Sequence, residues 1–74
     1  MEYIIVRVKG RPQENAAVLI DGEHNGMTAE LLTLGGPGWV FVSVALPGAQ
    51  EQQVEVRNTT ASQPIEVEVP CAES

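Results

Sequence analysis

Apolar and polar residues alternate along this chain in short runs, and glycine or proline cuts each run after a few residues. Successive side chains on a β-strand point to opposite faces, so a period of two marks half-buried strands. In Tyr3 to Lys9 one face carries Ile4, Val6 and Val8, and the other carries Tyr3, Ile5, Arg7 and Lys9. Gly10-Arg11-Pro12 interrupts that ladder, because proline lacks the amide proton a central strand needs. Ala16 to Asp21 reads as a second strand, with Val18 and Ile20 opposed to Ala17, Leu19 and Asp21. Asp21-Gly22 and Asn25-Gly26 then read as two turns.

The segment from Gly26 to Leu34 has two readings. Thr28 is placed to cap a short helix through Ala29-Glu30-Leu31-Leu32. Alternatively, Glu30 to Leu34 is a strand with Leu32 and Leu34 turned inward, and we favour it because a helix so short needs strong packing to persist. Gly35-Gly36-Pro37-Gly38 is a tight connection. Trp39 to Leu46, rich in β-branched and aromatic residues, is the strongest strand. Its faces are Val40, Val42, Val44 and Leu46 against Trp39, Phe41, Ser43 and Ala45. Gln52 to Asn58 alternates again, Thr59 to Pro64 is polar, and Ile65, Val67 and Val69 alternate with Glu66 and Glu68 before Pro70.

Short strands at near-regular spacing predict an all-β fold, a small two-layer antiparallel β-sandwich of five to seven strands. Its 74 residues allow one domain, here residues 1–70, with residues 71–74 expected to form a frayed tail. Cys71 is the sole cysteine, so an internal disulfide is impossible and a Cys/His zinc site has too few ligands. With so thin a core, stability must come from apolar packing, a complete hydrogen-bond ladder, or a partner chain.

The net charge of −6 argues against nucleic acid and anionic membranes, since both are bound through clustered Lys and Arg. Three of the four cations, Arg7, Lys9 and Arg11, fall in one stretch that reads as the solvated face of the first strand rather than an anion site. No apolar run approaches the roughly 20 residues of a membrane span, and residues 1–7 have no signal-peptide pattern. The expectation is a soluble, cytoplasmic chain.

The order of these turn residues resembles the PEGA domain, a small bacterial β-sandwich module. The family pattern runs through a Pro-Glu-Gly-Ala motif, an apolar strand ending in Asp-Gly, a second Gly, Thr-Pro, alternating Leu, and Gly before an aromatic-led strand. The matching marks here are Pro12, Glu14-Asn15-Ala16, Val18, Ile20-Asp21-Gly22, Gly26, Thr28, Leu32, Leu34 and Gly38-Trp39. Gln13 is an extra residue within the motif, Asn15 stands where the Gly should be, and Ala29 replaces the Pro. The resemblance implies a β-sandwich and an accessory role on bacterial multidomain proteins, and brings no catalytic residues. Carboxypeptidase regulatory-like domains share similar patterning.

No residue set predicts catalysis, and none predicts a cofactor or metal. His24 and Cys71 lack a third group to orient a nucleophilic pair. Asp21, Glu23 and His24 crowd one turn but supply only two carboxylates, far short of a calcium site, and Asp21 is expected to accept amide bonds within its own turn. The informative feature is the outer face. If the valines are core, then Tyr3, Ile5, Leu19, Trp39 and Phe41 point away from it. Aromatic side chains are enriched at interfaces, so these five form the candidate interaction patch of a non-enzymatic binding or scaffolding module acting through protein–protein contact or self-association. The alternative is a small-ligand or carbohydrate module, with Trp39 as a stacking platform beside His24 and Asn25.

Overall fold

A computed structural model describes residues 1–11 and 13–72. Seven strands form in the order β1 (Glu2–Val8), β2 (Ala17–Ile20), β3 (Glu23–Met27), β4 (Leu31–Leu34), β5 (Gly38–Val44), β6 (Gln52–Val56) and β7 (Ile65–Val69). They divide into a three-stranded sheet, β4-β1-β7, and a four-stranded sheet, β3-β2-β5-β6. Among the described residues no helix is long and apolar enough to cross a membrane.

The alternation sets the core. Ile4, Val6 and Val8 of β1, Leu32 and Leu34 of β4, and Val67 and Val69 of β7 are buried from one sheet. They meet Val18 and Ile20 of β2, Val42 and Val44 of β5, and Val56 of β6 from the other. Aliphatic branches from two facing sheets interdigitate into a single layer, as in other sandwiches. Thr28 lies in the turn before β4 and caps no helix; the strand reading of Leu31–Leu34 holds.

Three features differ from the sequence expectation. Asp21-Gly22 is a two-residue hairpin turn with positive φ at both positions, 52° and 84°, but Asn25-Gly26 is not a second turn. Residues 23–27 form β3, and Gly26 (φ 76°) sits where the β2–β3 register shifts. A bulge inserts one residue into the ladder and favours Gly, so a turn dipeptide and a bulged strand look alike in sequence. Secondly, β1 and β7 pair in parallel, Ile4 opposite Ile65 through Val8 opposite Val69, so the sandwich is not wholly antiparallel. Parallel strands need a long crossover, and here nearly the whole chain supplies it.

Thirdly, the expected frayed tail is half tied down. Gln50 N–H donates to Pro70 O (2.8 Å), Ala72 N–H donates to Gly48 O (2.7 Å), and Cys71 bridges Ala49. A Cβ on Gly48 would stand 2.6 Å from Ala72 O, so this close approach requires glycine. Residues 73 and 74, and the proline expected to end the first strand, Pro12, lie outside the described residues.

Two buried polar clusters close the ends of the ladder. Thr28 Oγ1 donates to Glu14 O (2.7 Å) and accepts from Ala16 N–H (3.0 Å), fastening the β1–β2 connection to the β3–β4 turn. Thr59, both by its amide (3.0 Å) and by its hydroxyl, donates to one Glu2 carboxylate oxygen, while Tyr3 N–H donates to Thr59 Oγ1 (2.7 Å). The Thr59 hydroxyl and then its backbone amide, both donating to the ionised form, hold the Glu2 carboxyl below its ordinary range.

Candidate functional site

The alternation of β5 puts Val42 and Val44 inside and Trp39, Phe41 and Ser43 outside. Register with β6 places Glu55 beside Trp39 and Gln53 beside Phe41 on that outer face. On the other flank Leu19 of β2 stands opposite Ser43, which makes it a diagonal neighbour of Phe41, about 7 Å away between backbones. Trp39 is 62% exposed and Phe41 46%, whereas Leu19 is half-buried beside them. The result is an apolar ridge along β5, with Gln53 and the Glu55–Arg57 ion pair on one side.

The ridge is held by its backbone. Asp21 N–H donates to Phe41 O (2.8 Å), and Phe41 N–H donates to Asp21 Oδ1 (2.9 Å). Asp21 therefore accepts an amide bond, but from the facing strand and not from its own turn. Its carboxylate completes the ladder where β2 ends, which fixes the ring-bearing residue against the β2–β3 hairpin.

The five residues expected to form one patch are divided by the topology. Leu19, Trp39 and Phe41 share the outer face of the four-stranded sheet, but Tyr3 and Ile5 lie on β1, in the other sheet, and face the opposite side of the molecule. The single patch required β1, β2 and β5 to share a sheet, and they do not. Tyr3 and Ile5 instead join Leu31, which is 46% exposed and lies opposite Ile5. Leu31 escapes notice in the sequence, although the inward turn of Leu32 implies its outward one.

Two of the three cations in residues 7–11 meet carboxylates. Arg7 pairs with Glu66 of β7 (3.1 Å), and Arg11 pairs with Glu14 (3.5 Å). Both are solvent-facing pairs of small energetic weight.

A shallow cleft of about 360 Å³ opens between the β2–β3 hairpin and the β4–β5 connection. Asp21, Glu23, His24 and Asn25 line one wall and Thr33 to Gly36 the other, with Val40 at its base. His24 and Asn25 thus share a concave surface, but Trp39 is not part of it. Among the described residues no group of three or more His, Cys, Asp or Glu is arranged to hold a metal ion. Compared with known proteins, the chain matches no family model, no curated protein and no solved structure.

Proposed function

We propose that this chain is a non-enzymatic binding or scaffolding module whose contact face is the outer surface of the four-stranded sheet, with Trp39 and Phe41 as anchors and Leu19 as their support. One observation carries the reading: the two largest apolar rings of the chain sit two residues apart on one strand, both substantially exposed, over a face whose rim is polar. Rings on a rigid strand lose little conformational freedom on binding, and buried aromatic anchors are among the side chains that carry most of the energy of an interface. The partner in this reading is a protein with an apolar depression.

A photo-crosslinking phenylalanine analogue at position 39 or 41 tests it in cells that express the chain. Adducts to one protein species from positions 39 and 41, and none from position 66 on the opposite face, support the proposal. Equal labelling from both faces, or none from position 41, overturns it.

Kinship with the PEGA domain is part of the same proposal. Supporting it are the positive φ at Asp21, Gly22 and Gly26, at positions where the family pattern has Asp-Gly and a second Gly. Against it stands Ala29, which has φ 66° and donates its N–H to Val6 O (2.8 Å); proline, the family residue, can do neither.

The small-ligand reading retains one favourable observation, the cleft that His24 and Asn25 share. It loses its stacking platform, since Trp39 lies outside that cleft. Shifts of the Asn25 and Gly35 amide resonances across a glycan panel test it, and an unchanged spectrum removes it.

A further inference from the structure

Charge is divided unevenly between the two sheets. Three of the four cations, Arg7, Lys9 and Arg11, fall on or just after β1, in the three-stranded sheet. The four-stranded sheet lies within residues 17–27 and 38–57. Those residues carry Asp21, Glu23, Glu51 and Glu55 against the single cation Arg57, with His24 counted neutral as in the net charge of −6.

These carboxylates frame the exposed rings. Glu55 stands opposite Trp39 and Gln53 opposite Phe41, so all four share the outer face. Glu51 is exposed and lies two positions before Gln53, which continues the same side of the chain. On the other flank Asp21 is exposed, and its Oδ1 accepts from Phe41 N–H (2.9 Å), which holds a carboxylate at the backbone of the ring residue. Glu23 follows it in the same hairpin and is exposed as well. The two flanks are two strand spacings apart, about 10 Å. Arg57 pairs with Glu55. Among the described residues Asp21, Glu23 and Glu51 take part in no ion pair. The apolar ridge therefore runs between two acidic margins whose charge the chain itself does not answer.

We propose that the partner docking on this face is a cationic protein segment. Its apolar side chains meet Trp39 and Phe41, while Lys or Arg beside them reach Glu51 on one flank and Asp21 and Glu23 on the other. The inference rests on the reading of this face as the contact surface and adds what selects the occupant. Complementary charge around an apolar patch speeds encounter and rejects wrong partners. A span of about 10 Å is the width of one helix with its side chains, so a single segment reaches both margins. Arg and Lys also sit favourably over the face of an exposed indole, and Trp39 is 62% exposed. Other occupants meet the same field with the wrong sign. A second copy brings its own carboxylates, nucleic acid and anionic membranes bring phosphate, and all three are repelled. A neutral glycan gains nothing from the charge.

Amide and indole NMR of the full chain, titrated with three probe peptides of equal length, tests it. One peptide alternates Lys with Leu, one Glu with Leu, and one Lys with Ser. The Lys–Leu peptide should shift the Trp39 indole and Phe41 amide resonances and bind about tenfold tighter than either of the others. Added salt should erase most of that advantage over the Glu–Leu peptide. Glu51→Lys and Glu23→Lys, each at an exposed position, should each weaken the Lys–Leu peptide about threefold. Equal binding of the Lys–Leu and Glu–Leu peptides at Trp39 overturns the selection by charge and leaves the contact face standing. A Lys–Leu peptide that shifts only Glu66 and Glu68 on the other sheet overturns the proposal, as does one that binds nowhere or is indifferent to both substitutions. Failure of the contact face itself is read separately, as absence of crosslinks from position 41.

Discussion

Replacing Thr28 by valine exchanges one hydroxyl for a methyl and leaves the shape of the side chain nearly unchanged. Thr28 is 1% exposed, and its hydroxyl is the partner of both Ala16 N–H and Glu14 O. The bond to Ala16 is buried, so valine strands that amide without water, at a cost of about 1–3 kcal/mol. The Glu14 carbonyl is only partly buried and recovers a water, so its loss is about 0.5 kcal/mol. The added methyl returns about 0.8 kcal/mol of burial. The net destabilisation is about 2 kcal/mol, which for a domain of this size lowers Tm by about 8–16 °C. Serine is the control: it keeps both hydrogen bonds and loses one methyl, about 1 kcal/mol. Urea unfolding followed by far-ultraviolet circular dichroism should rank the stabilities Thr28 above Thr28→Ser above Thr28→Val, with the m-value unchanged. A valine variant as stable as the serine one would refute the claim that the hydroxyl, and not the methyl, holds this turn.

Phe41→Ser should cost about 1 kcal/mol or less, whereas Val42→Ala, one residue along on the buried face, should cost about 2–3 kcal/mol; thermal melts of the pair check the face assignment, and equal losses would reverse it. The carboxyl of Glu2 is held below its ordinary value of 4.5 by Thr59, so its stabilising contribution is complete above that value and is lost as pH falls through the lowered one. The gap in unfolding free energy between wild type and Glu2→Gln should therefore be widest at neutral pH and close in acid, and a gap independent of pH would show that Glu2 contributes by packing alone. Ala29→Gly should stabilise by about 0.5 kcal/mol, as relief of the left-handed backbone outweighs the entropy of glycine in the unfolded chain. Ala29→Pro should cost about 3 kcal/mol or more, because it loses both the φ of 66° and the bond to Val6; equal melting temperatures for the two variants would contradict this geometry.

The candidate site was half legible in the sequence. Trp39 and Phe41 were readable as outward residues on the condition that Val42 and Val44 are inward, which the structure meets. Their separation from Tyr3 and Ile5 was not readable. Alternation says which way a side chain points relative to its own strand, but not which sheet that strand joins. Glu2, Thr28 and Thr59 were equally hidden, since each looks like an ordinary surface residue until its partner arrives from 12 or more positions away. Local signals were also ambiguous at Asn25-Gly26, where positive φ serves a bulge as well as a turn.

Residue order alone determined the strand count to within two, the hairpin at Asp21-Gly22, and that the valines and the rings of β5 lie on opposite faces. These are local consequences of side-chain alternation and of the φ each residue tolerates, and they need no knowledge of neighbours. Only the tertiary structure decided that β1 lies beside β7 in parallel, that β2 and β5 belong to the other sheet, and that β4 is left at an edge. Every strand here offers the same backbone donors and acceptors and similar aliphatic branches, so pairwise energies hardly distinguish one neighbour from another. The choice is made by the whole packing problem, in which two faces must close over one core and each buried amide must find a partner.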